Sequence, residues 1–132
     1  MAIVKSFRDL VVWQKGIELC LSLYRLTREF PREETYGLTS QLRRAGVSVP
    51  SNIAEGFGRR SRSDYKVFLR MARGSVLEIQ TQLLIARELR YGGQQKICEA
   101  ETQADEVSRM LWALIEKMGR AEGGHRSAIA AD

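Results

Sequence analysis

Histidine is nearly absent: the single residue, His125, lies close to the C-terminus. A Ser/His/Asp or Cys/His arrangement on the body of the chain therefore has no base. The Glu-x-x-His pairs that hold two metal ions inside helical bundles cannot be formed either. Cysteine is scarce too, with Cys20 and Cys98 far apart, no CxxC and no neighbouring histidine, which removes a zinc site. Both thiols are expected to be small buried apolar residues of a reducing compartment. There is no run of about 18 apolar residues to span a bilayer, and MAIVKSFRDL lacks the pattern of a signal peptide, so a cytoplasmic protein is expected. Only two prolines occur, Pro31 and Pro50, leaving the later segments free to form long helices.

What is present is Leu, Ala, Glu, Gln and Arg, which lose little side-chain entropy in a helix. The 132 residues are 44% hydrophobic and 28% charged, as in one globular domain. A first helix is predicted from an Asp9 cap to about Glu29, with Leu10, Trp13, Ile17, Cys20 and Tyr24 as one apolar stripe and Val12, Leu19, Leu23 and Leu26 as a second. Phe30 and Pro31 end it. A second helix starts around Arg32 to Thr35 and carries Leu38, Leu42, Ala45, Val49, Ile53 and Phe57. That spacing persists across Pro50, predicting a helix that continues with a kink, with Gly46 leaving room for the proline ring.

Gly56 and Gly58 are expected to end the second helix and turn the chain. A third helix runs from a Ser61 or Ser63 cap to about Tyr91, with Tyr65, Leu69, Ala72, Val76, Ile79, Leu83 and Ala86 facing the core. The fourth spans about Gln94 to Met118 through Ile97, Ala104, Val107, Leu111, Leu114, Ile115 and Met118. Short connections make neighbours antiparallel, so the fold is read as all-α, an up-down-up-down four-helix bundle over residues 1–118. Residues 119–132 are expected to form a disordered tail.

The net charge of +5 is concentrated in the middle. Residues 43 to 73 hold Arg43, Arg44, Arg59, Arg60, Arg62, Lys66, Arg70 and Arg73 against Glu55 and Asp64, a local balance of +6. Arg62, Lys66, Arg70 and Arg73 fall within about 80° on the third helix and form a ridge roughly 16 Å long. Such a ridge is either a solvated face or a contact for phosphates. EGFGRRS is no nucleotide loop, since no Gly-Lys-Ser/Thr follows and no strand precedes it. Glu55 and Glu78 are expected to be partly buried in structural hydrogen bonds, for example to Arg43 or a serine, with no catalytic role.

Leu77 and Leu84 extend the third helix's apolar surface beyond the core stripe, and Val11 and Leu21 do the same on the first. These four residues are either scattered surface side chains, which are common, or the candidate interface of a homo-oligomer. The chain is expected to be no enzyme and to take no cofactor, metal or small-molecule substrate.

FRDLVVWQKGIELCLSLYRLT, YGLTSQLRRAGVSVPSNIAEGFGRRS and FLRMARGSVLEIQTQL closely resemble the four-helix-bundle family of proteins encoded by intervening sequences in bacterial 23S rRNA genes. The resemblance covers residues 7 to 118. More distantly, the chain resembles the accessory variability proteins of diversity-generating retroelements. The resemblance implies a ring-like homopentamer, with RNA or DNA and a reverse transcriptase as partners. The family's Asn-Ile-Ala-Glu-Gly core corresponds to Asn52, Ile53, Ala54, Glu55 and Gly56, and its basic turn to Arg59 and Arg60. Its usual Leu-Gly-Tyr at the end of the third helix is here Leu89, Arg90 and Tyr91. Two functions stay open: a nucleic-acid-binding accessory factor, and a protein scaffold whose arginines pair acidic helices such as the surface with Glu99, Asp105 and Glu106.

Overall fold

The computed structural model describes residues 3–123, and among these no strand occurs. Four helices carry the fold: α1 (Val11–Thr27), α2 (Leu38–Phe57), α3 (Arg62–Glu88) and α4 (Gln94–Gly123). Short 3-10 turns at Phe7–Asp9 and Arg32–Glu34 precede α1 and α2. Each helix packs against two neighbours, α1 on α2 and α4, α3 on α2 and α4, which leaves α1 and α3 diagonally opposed. The expected bundle is present.

Its centre is apolar. Leu19, Leu23 and Leu26 of α1, Leu42 and Ile53 of α2, Leu69, Ile79 and Leu83 of α3, and Ile97 and Leu111 of α4 are fully buried. Each such side chain contributes about 1.5–3 kcal/mol relative to exposure. The core stripes predicted for α3 and α4 are the buried ones, except that Tyr65 and Leu114 sit half-buried at the margin. On α1 the order is reversed: Val12, Leu19, Leu23 and Leu26 fill the centre, whereas Leu10, Trp13, Ile17, Cys20 and Tyr24 lie half-buried beside it. A helix fixes the angle between two stripes but not which one meets its neighbours.

Several local expectations are corrected. Asp9 does not cap α1; its carboxylate accepts the Lys5 and Ser6 N–H groups in the preceding 3-10 turn, and Leu10 opens the helix without a side-chain cap. The α2 helix continues through Pro50 and starts later than expected, where the Glu34 carboxylate accepts the Leu38 N–H at 2.9 Å. Gly46 serves the contact with α1: a Cβ there would lie 3.0 Å from Leu23 Cδ1 and 3.6 Å from Cys20 Cα. Pro50 is buried across from Gly16, whose Cβ would be 3.6 Å from the proline Cβ.

The third helix stops at Glu88, three residues before the expected end. Arg90 adopts φ 60°. The Tyr91 N–H reaches back to the Ala86 carbonyl at 2.9 Å and the Arg90 N–H to that of Arg87 at 3.0 Å, the paired bonds that close a helix through a left-handed residue. At the other end of the chain, α4 runs to Gly123, past the expected stop at Gly119, and the remaining residues of the expected tail, 124–132, lie outside those described.

Candidate nucleic-acid interface

The turn between α2 and α3 is built by close packing. Gly56 is not a turn residue: a Cβ on it would meet Phe68 Cβ at 2.7 Å and Tyr65 Cδ1 at 3.1 Å, so it lets α2 and α3 approach. Gly58 follows as a right-handed cap, its N–H bonded to the Ala54 carbonyl at 3.3 Å, and has φ −79°, open to any residue. Ser61 then caps α3 by accepting the Asp64 N–H at 3.0 Å. Phe57 meets Tyr65 edge-on at 6.1 Å, and burial pushes the Tyr65 phenol above its ordinary pKa. Arg59, Arg60 and Arg62 therefore lie on or beside the short connection between the two helices.

The eight basic residues do not form one patch. Arg43 is turned into the α1–α2 seam, where its Nε donates to Thr27 Oγ1 at 2.8 Å, an Nη to the Tyr24 carbonyl at 3.3 Å, and its guanidinium stacks 4.6 Å from the Tyr24 ring. Arg44 lines a separate polar cleft of about 380 Å³ with Ser48, Ser75 and Glu78. Arg59 bonds the Glu55 carboxylate at 2.7 Å and lies 4.6 Å over the Phe68 ring. Arg73 lies over Trp112 of α4. Lys66 is half-buried on α3.

Arg60, Arg62 and Arg70 are exposed and, among the described residues, have no ion-pair partner. The antiparallel packing of α1 on α2 also brings the N-terminal 3-10 turn, with exposed Arg8, to this end. Sequence reasoning missed Arg8, because its proximity to the turn is a long-range contact.

The opposite end is tied by contacts between elements. There Lys96 bonds Glu29, Arg87 bonds Glu101, and the Tyr91 hydroxyl donates to Glu34 at 3.0 Å. The Lys96 ammonium, followed by the Gly93 N–H, holds the Glu29 carboxyl below its ordinary pKa, and the Glu101 carboxylate raises that of Arg87. These contacts tie that end together, although Arg28, Arg32 and Arg90 there are exposed with no ion-pair partner among the described residues; at the α2–α3 corner Arg59 is paired with Glu55, while Arg60, Arg62 and Arg70 are not paired.

Other expectations shift as well. Glu55 and Glu78 are exposed, and neither bonds Arg43. Cys98 is exposed, with an Arg87 Nη 3.4 Å from its sulfur, while Cys20 is half-buried. Of the acids proposed as a docking surface, Asp105 accepts from Gln80 at 2.8 Å and Glu106 faces Lys15 at 3.6 Å, so two of the three are already engaged. The described residues contain no cluster of His, Cys, Asp or Glu able to hold a metal, and no helix among them is long and apolar enough to cross a membrane.

The fold is an antiparallel four-helix bundle. Residues 8–113 match the family described as 23S rRNA-intervening sequence protein, and the chain belongs to that family. Among solved structures it is similar to a protein of unknown function from the S23 ribosomal protein family of Bacteroides thetaiotaomicron, with a TM-score of 0.72 and 21% identity over 80% of this chain and 98% of that one. At this identity the likeness concerns the fold. No curated protein matches the chain.

Proposed function

We propose that the protein is a non-enzymatic, oligomeric nucleic-acid-binding accessory factor of the cytoplasm, which grips phosphates with the α2–α3 corner and the adjoining face of α3. The observation that carries this reading is the grouping of Arg60, Arg62 and Arg70 on one turn and the first turns of α3, exposed and without acidic partners among the described residues. Guanidinium groups match phosphate oxygens in two-pronged hydrogen bonds, and an unpaired one gives up no salt bridge on binding. A reverse transcriptase, the partner implied by the more distant resemblance, works on the same class of ligand.

Assembly would multiply weak contacts. Val11 and Leu21 on α1, and Leu77 and Leu84 on α3, are 54%, 48%, 45% and 54% exposed. Because α1 and α3 are diagonally opposed, these are two different faces. One face packing on the other in the next copy is a head-to-tail contact, the type from which a ring such as the pentamer is built when the rotation between copies closes. Repeating a basic corner around the ring would then raise affinity through effective concentration. The reading includes a kink of α2 at Pro50, where the ring removes the bond to the Gly46 carbonyl.

The test is a titration of structured RNA, single-stranded DNA and duplex DNA at two salt concentrations, with wild type and an R60A/R62A/R70A variant. Binding should weaken steeply with salt, and the variant should bind less and show a shallower salt slope, by roughly 0.7–0.9 for each phosphate no longer neutralised. Salt-independent binding, or a variant equal to wild type, would refute the proposal. A purely protein-binding scaffold is the second reading, favoured by the two exposed apolar faces; assembly without any polyanion binding would establish it.

A further inference from the structure

Trp112 is a large aromatic residue left outside the core, 51% exposed on the outer side of α4. The Arg73 guanidinium of α3 lies 4.9 Å from its ring centroid, and the Arg73 Nε is buried with no hydrogen-bond partner. Arg73, Ser108, Arg109 and Trp112 line an open cleft of about 460 Å³ between α3 and α4. Arg109 is exposed and, among the described residues, has no acidic partner. Elsewhere along this seam the polar groups are matched, Gln80 with Asp105 and Arg87 with Glu101. Here two guanidinium groups and an indole face are left without a counter-ion.

We infer that this cleft holds one unpaired nucleotide of a single-stranded nucleic acid, its base stacked on the open part of the Trp112 ring and its phosphate bound between Arg73 and Arg109. The inference rests on the nucleic-acid reading and narrows it, because a base inside a duplex has no free face to stack. The indole supplies a flat, sequence-tolerant platform. The two guanidinium groups supply the charge, and the Ser108 hydroxyl a further donor. The cleft also continues the basic ridge: Arg73 follows Arg70 by about one helical turn, so a strand gripped at the α2–α3 corner reaches Trp112 by running along α3. A second copy of this chain is the competing occupant, since Leu77 lies one turn beyond Arg73 on α3.

The W13F substitution leaves Trp112 as the sole tryptophan of the two. The full-length W13F protein is titrated at low salt with a single-stranded oligonucleotide, a duplex of equal length, and heparin, a polyanion without bases. The single strand should quench Trp112 emission, and the other two should bind without quenching it. In the wild-type background, W112L should weaken single-strand binding about tenfold, with duplex and heparin binding unchanged and W112F retaining part of the affinity.

Single-strand binding without quenching, or an equal loss on all three polyanions, would overturn the inference and leave the basic corner standing. Shielding of Trp112 from acrylamide in the free protein, or a changed sedimentation coefficient in W112L, would assign the cleft to a subunit contact and overturn it too. If none of the three polyanions binds wild type, the nucleic-acid function itself fails.

Discussion

Replacing Arg90 with glycine should stabilise the protein, although it removes a charged residue near a helix C-terminus. Arg90 holds the left-handed position that closes α3, at φ 60°. A residue with a Cβ is strained there by about 1–2 kcal/mol, and glycine is not. Glycine also loses more freedom on folding, which returns about 0.5–1 kcal/mol, and the favourable interaction of the guanidinium with the helix dipole, about 0.3 kcal/mol for an exposed group, is lost. The balance is a gain of about 0.5 kcal/mol for R90G over wild type and somewhat more over R90A, which loses the charge while keeping the strain. With an unfolding entropy near 2.1 cal/mol/K per residue, about 0.5–1 kcal/mol corresponds to a rise in Tm of roughly 2–4 °C.

The assay is thermal and urea unfolding of wild type, R90A and R90G at one fixed protein concentration, because assembly makes Tm depend on concentration. G92A gives the opposite sign: Gly92 sits at φ 72°, and its Cβ would lie 2.7 Å from Leu26 Cδ1 and 3.2 Å from Phe30 Cε1. Strain and overpacking together should cost about 2 kcal/mol or more. An R90G protein no more stable than R90A would show that the left-handed position is not the source of strain, and the account of this helix end would fall.

A pair of glycines separates close packing from helix propensity. G56A forces a Cβ to 2.7 Å from that of Phe68 and should destabilise by about 1–3 kcal/mol, whereas G74A, exposed within α3 with nothing within 4 Å, should stabilise by about 0.5–1 kcal/mol in the same urea titration. Iodoacetamide at pH 8, followed by mass spectrometry, should modify exposed Cys98 well before half-buried Cys20, whose thiol is pushed up by burial, and C98S should abolish the fast phase. Glu29 has a folded pKa below the ordinary value of 4.5. Its contribution is therefore present above that value and lost as pH falls through the folded pKa. The gap in urea midpoint between wild type and E29Q should be steady at neutral pH and narrow as pH falls below about 4.5, and a constant gap would show that the Lys96 pair is not formed.

The sequence was informative wherever a side chain's job depends on its own helix. Leu69, Ala72, Val76, Ile79, Leu83 and Ala86 were legible as the inner face of α3 from spacing alone, and all are buried. The passage of α2 through Pro50 followed from the unbroken spacing of Ala45, Val49 and Ile53. Jobs that depend on a second helix were not legible. Gly56 reads as a turn residue until Phe68 stands 2.7 Å from where its Cβ would be, and Gly46 reads as slack until Leu23 fills the space.

The same limit governs the site, and it changes what counts as a basic patch. Arg43 and Arg60 have equal weight in a count along the chain, yet the first is spent on Thr27 and Tyr24, residues 16 and 19 positions away, and the second meets no acid among the described residues. Lys96 with Glu29 and Arg87 with Glu101 are likewise pairs that only folding brings together. A phosphate can compete for an arginine only to the extent that the fold has left it unpaired. The candidate interface is therefore set less by where the chain carries arginine than by which arginines near the α2–α3 turn the bundle leaves without a bonded partner, and that distinction moves the weight from Arg43 and Arg59 to Arg60, Arg62 and Arg70.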